Sequence, residues 1–222
     1  MFAKNTYFEK RVRRLRGLGY LLQLAPFVRA VILTGSMSTG SDSFASDIDL
    51  LIITKPGRLY SARFFATFWA ALTGHRRHPN DKNPAGKFCL NYYLALNNLD
   101  ILPHDARCAS FHRHMLRVWD RHGESEKIYR ENFWLYDHTI EIKSEKKVEK
   151  LKSAFPIDRL LFFSLIRWPW EAILSTKIGN SLEQIMSAWQ MKKITKSKLY
   201  KLNKSSIIVS AGELRLHPKK DI

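Results

Sequence analysis

The chain alternates between segments with helical hydrophobic spacing and short, continuous apolar runs. Residues 8–22 and 58–73 carry apolar side chains every three or four positions, which predicts two amphipathic helices. Residues 28–34, 46–54 and 87–96 are short runs rich in β-branched, aliphatic and aromatic residues, which predicts three strands. The predicted order is helix, strand, strand, helix, strand, which indicates a mixed α/β core.

The pattern changes after the third predicted strand. Residues 106–121 have helical spacing, and a charged junction at 143–147 is followed by further helical segments. We therefore divide the chain into a core at 1–142 and a basic, mainly helical C-terminal region at 143–222. The predicted fold class is α+β (mixed α/β), with a small twisted sheet covered by helices on one face.

Positive charge is concentrated at the two ends of the chain. The 222 residues include 37 Lys and Arg against 20 Asp and Glu, a formal net charge of +17. Residues 1–30 carry seven basic and one acidic residue, residues 31–142 thirteen and twelve, and residues 143–222 seventeen and seven. A nearly neutral centre between basic flanks favours an anionic partner, although solvated surface lysines would give the same composition.

Cysteine content and hydropathy point to the cytoplasm. Cys89 and Cys108 form neither a CxxC pair nor a disulfide framework, which is typical of a reducing compartment. The first sixteen residues lack the apolar stretch of a signal peptide. The apolar segment at 155–178 is interrupted by charged residues and a proline, so we expect no membrane span.

The second predicted strand begins with two aspartates. Because side chains two apart on a strand share a face, Asp47 and Asp49 would place two carboxylates close enough to bind a hard divalent cation. Gly35 ends the preceding strand, where a sharp turn would let a phosphate approach the backbone, and Ser36 adds a hydroxyl and an amide. A phosphate cradle beside a metal clamp is suited to transfer of a nucleotidyl group.

These residues form a recognisable string. It reads Gly35-Ser36-Met37-Ser38-Thr39-Gly40, five residues, then Ser46-Asp47-Ile48-Asp49-Leu50-Leu51, between two predicted strands. The string resembles the signature of the DNA polymerase β-like nucleotidyltransferase superfamily, in its branch of small prokaryotic members. Arg76-Arg77 and Cys89-Leu90-Asn91 add to the resemblance, which covers about residues 8–105.

The resemblance implies roles for individual residues. It implies that Asp47 and Asp49 ligate Mg²⁺ (or Mn²⁺) as catalytic residues, and that a third metal ligand lies on the next strand. That strand has no carboxylate, and Asn91 takes the place of the third metal ligand. The alternative is that Asn91 is a polar residue whose hydrogen bonds are purely structural. The nucleotide-binding set is Gly35, Ser36, Gly40, Ser46, Arg76 and Arg77, although the arginine pair could equally be part of a solvated loop. A general base could come from Asp100, His104 or Asp105.

The resemblance also implies an activity. We expect a magnesium-dependent nucleotidyltransferase that moves a nucleoside monophosphate, AMP by preference, from a nucleoside triphosphate to an acceptor hydroxyl and releases pyrophosphate. The acceptor could be a small molecule, a protein side chain or RNA. Two alternatives remain open: a catalytically impaired module that senses nucleotide or binds nucleic acid, and an antitoxin-like protein that binds a partner chain.

Overall fold

The apolar runs form the centre of a mixed β-sheet in the computed structural model, which describes residues 3–78, 81–204 and 206–216. The three predicted strands are β1 (Val28–Thr34), β2 (Ile48–Thr54) and β3 (Phe88–Ala95). The described residues add β4 (Leu116–Asp120), β5 (Ile208–Val209) and β6 (Glu213–Arg215), and the strand order is β4-β1-β2-β3-β6-β5. β2 and β3 run parallel, whereas the other neighbours are antiparallel.

Helices connect and cover the strands. Those of the core are α1 (Ala3–Leu22), α2 (Gly35–Ser38), α3 (Leu59–Leu72), α4 (Ala106–His112) and α5 (Ser125–Glu131), followed by a 3₁₀ helix at Phe133–Asp137. The C-terminal region contributes α6 (Glu145–Ala154), α7 (Leu161–Leu174), α8 (Lys177–Thr195) and α9 (Lys198–Leu202). The predicted mixed α+β class and the mainly helical C-terminal region are confirmed.

Alternation along the strands produces two hydrophobic clusters. Val31 and Leu33 of β1 join the larger cluster with α1 and α3, whereas Ala30 and Ile32 join a smaller one on the opposite face. The long helices cover the larger cluster, as predicted for one face. The other face is covered by the short segments between β3 and α6, including α4 and α5. Both faces of the sheet are therefore protected from water.

The predicted helix at 106–121 is wrong in its second half. α4 ends at His112, the Met115 amide donates to the His112 carbonyl at 3.0 Å, and β4 then pairs antiparallel with β1. Val118 and Trp119 of β4 are fully buried. The backbone hydrogen bonds offered by the open edge of β1 and the burial of Trp119 outweigh the weak helical periodicity of a sixteen-residue segment.

The outer side of α7 is apolar. Its charged residues, Arg167 and Glu171, face inward, and Glu171 accepts two hydrogen bonds from Arg121 at 2.8 and 2.7 Å. The exposed side chains include Phe162 and Trp168. Among the described residues, no helix combines the length and the hydrophobicity needed to cross a bilayer.

Candidate active site

Asp47 and Asp49 lie together at the start of β2. Asp47 directly precedes the strand and Asp49 is its second residue, with its side chain buried on the same face as the smaller cluster. One carboxylate oxygen of each, together with the Cys89 sulfur, fall within 4.8 Å of one another. The alternation of a strand therefore produces the paired carboxylates that the sequence predicted.

The turn at Gly35 fits closely over Asp49. Thr34 is the register partner of Asp49, and the chain leaves β1 at Gly35 with a φ of +71° to begin α2. A Cβ atom on Gly35 would lie 2.7 Å from Asp49 Oδ2 and 3.2 Å from the Phe111 ring. Only glycine permits both this conformation and this approach of the backbone to the carboxylate.

Gly35→Ala is expected to misplace the Asp49 carboxylate. The left-handed conformation costs an alanine about 1–2 kcal/mol, and the added methyl group must displace Asp49. Misplacement by about 1 Å can lower a rate roughly 10²-fold, so we expect a loss of nucleotidyl transfer of that order. Gly57→Ala is the matched control, because Gly57 has a similar φ of +67° and, its two chain neighbours aside, no atom of a described residue lies within 4 Å of its Cβ position. Equal losses of activity in both variants would contradict the assignment.

The loop that joins Gly40 to Ser46 is held by buried charges. Asp42, whose side chain is fully buried, accepts from Arg11 Nη1 of α1 at 2.7 Å and from Lys147 Nζ of α6 at 2.8 Å. Arg11 also donates to the Ser46 carbonyl at 2.6 Å. This network fixes the spacing between the glycine turn and the aspartates. Sequence reasoning missed these residues because their partners are more than thirty positions apart.

The remaining residues of the string have structural partners. Gly40 also has a φ of +71°, and a Cβ there would lie 2.7 Å from the Ser144 carbonyl at the start of α6. The Ser46 hydroxyl accepts from the Ser43 amide at 3.0 Å, and the Ser36 carbonyl accepts from the Ser41 amide at 2.9 Å. These contacts shape the loop, and the predicted contacts of Gly40, Ser46 and Ser36 with a nucleotide stay predictions.

The two neighbouring arginines have different surroundings. Arg77 forms an ion pair with Asp47, and its Nη1 lies 3.8 Å from the Cys89 sulfur. Burial alone would lower the pKa of Arg77, but Asp47 and Cys89 raise it above its ordinary value. Arg76 forms a β-bridge with Phe88 and lines a second cavity. The structure thus brings Arg77, and not Arg76, to the aspartates.

Cys89 occupies the third position beside the aspartates. It is the register partner of Asp49, and the register then shifts before Leu51 pairs with Tyr92. Because of this shift, Asn91 lies in the second cavity and not in the cavity of the aspartates, which corrects its predicted placement. Burial, reinforced by the charges of Asp49 and Asp47, raises the pKa of Cys89 well above its ordinary value. The thiol is therefore neutral.

The aspartates open into a cavity of about 500 Å³ between the sheet and α4. Asp105 lines this cavity and caps α4 by accepting from the Cys108 amide at 2.7 Å. Asp100 and His104 instead contact each other at 2.7 Å, with both side chains about half exposed, and neither lines the cavity. His112, which sequence reasoning did not select, also lines it, with Nδ1 2.9 Å from the Cys108 carbonyl oxygen.

Comparison with known proteins agrees with this geometry. Residues 16–96 match the family model described as nucleotidyltransferase domain. Searches of curated proteins and of solved structures gave no significant match. The matched segment contains the glycine turn, both aspartates, Arg77 and Cys89. Residues 16–96 are therefore a nucleotidyltransferase domain of the DNA polymerase β-like superfamily.

Proposed function

We propose that this protein is a magnesium-dependent nucleotidyltransferase that transfers AMP from ATP to an acceptor hydroxyl and releases pyrophosphate. The observation that carries the proposal is the carboxylate pair of Asp47 and Asp49 beneath the Gly35 turn, at the wall of a cavity large enough for a nucleotide. The nucleotidyltransferase domain supports nucleotidyl transfer in general. The choice of AMP and the metal requirement are our own inferences.

The donor set suits a hard cation. Mg²⁺ binds through one or two carboxylates and completes its coordination with substrate phosphates and water, and Mn²⁺ accepts the same oxygen ligands. Asp47 and Asp49 supply such oxygens, whereas the neutral, soft thiol of Cys89 is a poor ligand for either ion. When bound, the cation would neutralise charge on the triphosphate as the phosphorus is transferred.

The chain's own groups would orient the reactants. The backbone at Gly35 and the hydroxyl of Ser36 would contact the triphosphate, and the guanidinium of Arg77 would bind its oxygens. A bond forms between the acceptor oxygen and the α-phosphorus, while the bond from that phosphorus to the oxygen bridging to the β-phosphate breaks. Pyrophosphate leaves with the electron pair. We assign the acceptor's proton to the carboxylate of Asp105, the one of the three predicted bases that lines the cavity.

The ion pair between Arg77 and Asp47 has a consequence for binding. The guanidinium of Arg77 supplies a positive charge beside the Asp47 carboxylate. A bound cation would replace the guanidinium as the positive charge beside Asp47. Arg77 could then pair with the phosphate oxygens of the triphosphate.

The decisive experiment uses ATP labelled at the α-phosphate. The expected result is pyrophosphate release together with label bound covalently to an acceptor, in the presence of Mg²⁺ or Mn²⁺ and not in EDTA. The acceptors to test are hydroxylated small molecules, tyrosine-containing protein and RNA. ATP binding without pyrophosphate or labelled product for any of these would contradict the proposal.

A second candidate function is nucleotide binding without turnover. The observation that favours it is Cys89, since a neutral thiol stands beside Asp49 where a third carboxylate would complete the metal site. In this case the protein would act as a nucleotide sensor and would transfer no nucleotidyl group to an acceptor.

Cys89→Asp distinguishes the two candidates. A carboxylate at this position would add an oxygen ligand beside Asp49, so we expect an active enzyme to become at least about tenfold faster. Cys108→Asp is the matched control, because Cys108 lines the same cavity but is outside the cluster of ligand atoms. If the wild-type chain binds ATP without turnover, and only the Cys89→Asp variant transfers nucleotide, the protein is a sensor. Activity that is unchanged or lost in a folded Cys89→Asp variant would exclude Cys89 as the third position.

A further inference from the structure

A second cavity, of about 550 Å³, lies between α3 and α8 beside Leu90 and Asn91 of β3. Its described lining contains five basic side chains and neither aspartate nor glutamate: Arg63, Arg76, Arg77, His78 and Lys193. The larger hydrophobic cluster lies on the same side of the sheet, because Leu90 belongs to both. The second cavity is thus separate from the cavity of the aspartates, and Arg77 lines both cavities.

Three of these cations have no counter-charge among the described residues. Within the described ranges, no carboxylate forms an ion pair with Arg63, Arg76 or Lys193. Arg63 donates to Gln190 Oε1 at 2.6 Å, and its buried Nε atom has no hydrogen-bond partner in the part of the chain that the structure describes. Burial and, to a smaller extent, the nearby charge of Arg76 lower the pKa of Arg63. Arg63 and Arg76 are partly buried and Lys193 is exposed. Like charges that line one cavity repel one another, so the cavity favours a bound anion.

Aromatic side chains form the rest of the entrance. Phe68 and Trp189 both line the cavity, and 48% and 55% of their surfaces are exposed. The Lys193 ammonium lies 5.4 Å from the centroid of the Trp189 ring. Exposed aromatic rings beside a cationic groove are the features by which proteins stack nucleobases and bind phosphates together.

We propose that this second cavity binds a phosphorylated nucleoside, with its phosphates among Arg63, Arg76 and Lys193 and its base against Phe68 and Trp189. The ligand is either a free nucleotide or the 5′-phosphorylated end of an RNA strand, which share this chemistry. The site goes beyond the proposed nucleotidyl transfer and does not depend on it. Arg77 lines both cavities and pairs with Asp47. A phosphate bound in the second cavity would therefore be separated from Asp47 by the side chain of Arg77.

The test separates this site from the aspartates. Binding is measured in the Asp49→Asn variant in EDTA, so that metal-dependent binding in the first cavity cannot contribute and Arg77 keeps its ion pair with Asp47. The probes are ADP, a 5′-phosphorylated decaribonucleotide and inorganic phosphate, followed by calorimetry and by quenching of tryptophan fluorescence. We expect ADP or the decanucleotide to bind at least about tenfold more tightly than inorganic phosphate, because only they carry a base.

Two variants locate the binding. Lys193→Gln is expected to weaken it about tenfold, since a charge-assisted hydrogen bond to phosphate is lost. Trp189→Ala is expected to weaken it similarly and to remove the quenching. Lys192→Gln is the matched control, because Lys192 is the preceding residue of α8 and does not line the cavity.

Each outcome decides between the alternatives. ADP that binds as tightly as the decanucleotide indicates a free nucleotide, and tighter binding of the decanucleotide indicates RNA. No binding, or binding that Lys193→Gln weakens no more than Lys192→Gln, overturns the proposal. Neither of these last results bears on nucleotidyl transfer, which is measured separately with the wild-type chain and Mg²⁺.

Discussion

Replacing Asp49 with asparagine is expected to lower the rate of nucleotidyl transfer by about 10³-fold or more while the chain stays folded. The substitution keeps the shape of the side chain but removes a negative charge next to Gly35 and Cys89. Asparagine would weaken the metal site that neutralises charge on the transferring phosphoryl group, and loss of such a preorganised electrostatic contribution costs a rate factor of this order. Asp47→Asn should behave in the same way, and in addition it frees Arg77 from its ion pair. The measurement is the initial rate of pyrophosphate release at saturating ATP and Mg²⁺.

Asp137→Asn is the control for these variants, because Asp137 is an exposed aspartate outside the cavity. It should leave both rate and melting temperature unchanged. Circular dichroism of all three variants establishes that they are folded. If folded Asp49→Asn retains more than about a tenth of the wild-type rate, the carboxylate pair is not the catalytic centre, since loss of such a contact should cost about 10²-fold or more.

The largest effect on stability is expected from Asp42→Asn. The Asp42 side chain is fully buried between Arg11, which is also buried, and Lys147. Burial alone would lower the pKa of Lys147, but its hydrogen bonds to Asp42 and Tyr7 raise it, so Lys147 is a cation in the folded chain. Removing the counter-charge that Arg11 and Lys147 share leaves them uncompensated, which typically costs about 3–5 kcal/mol. Denaturant unfolding of the two chains measures this difference in the free energy of unfolding.

Glu9→Gln is the matched control for Asp42→Asn. Glu9 and Lys150 also join α1 to α6, but each side chain is about 42% exposed. Solvent and salt screen such a pair, so its loss should leave the free energy of unfolding nearly unchanged. Similar losses in both variants would show that the buried network around Asp42 is not the element that holds the loop. If that network does hold the loop, Asp42→Asn should also slow nucleotidyl transfer.

Much of the core follows from local pattern. The strands β1, β2 and β3 and the helices α1 and α3 agree with the predicted segments because their hydrophobic patterns are strong, and Gly35, Pro56 and Gly74 follow β1, β2 and α3 closely. The proximity of Asp47 and Asp49 is confirmed for a similarly local reason, the two-residue period of a strand. Their role as metal ligands stays a prediction.

Interactions between distant segments explain where prediction failed. β4 forms because the edge of β1 accepts it, although residues 106–121 have helical spacing. Cys89 replaces Asn91 beside the aspartates because the register of β3 against β2 shifts between them. Neither the partner strand nor the shift leaves a signal in the local sequence, since both depend on backbone pairing across forty residues or more.

By itself, the sequence determined the strand and helix order of the core, the glycine turn and the common face of the two aspartates, because each depends on neighbouring residues and backbone geometry. The tertiary structure alone decided three other features: the thiol beside the carboxylates, the buried clamp of Arg11 and Lys147 on Asp42, and the cationic cavity between α3 and α8. These features are formed by residues far apart in the chain. Their charges and burial are set by partners that only the folded packing brings together.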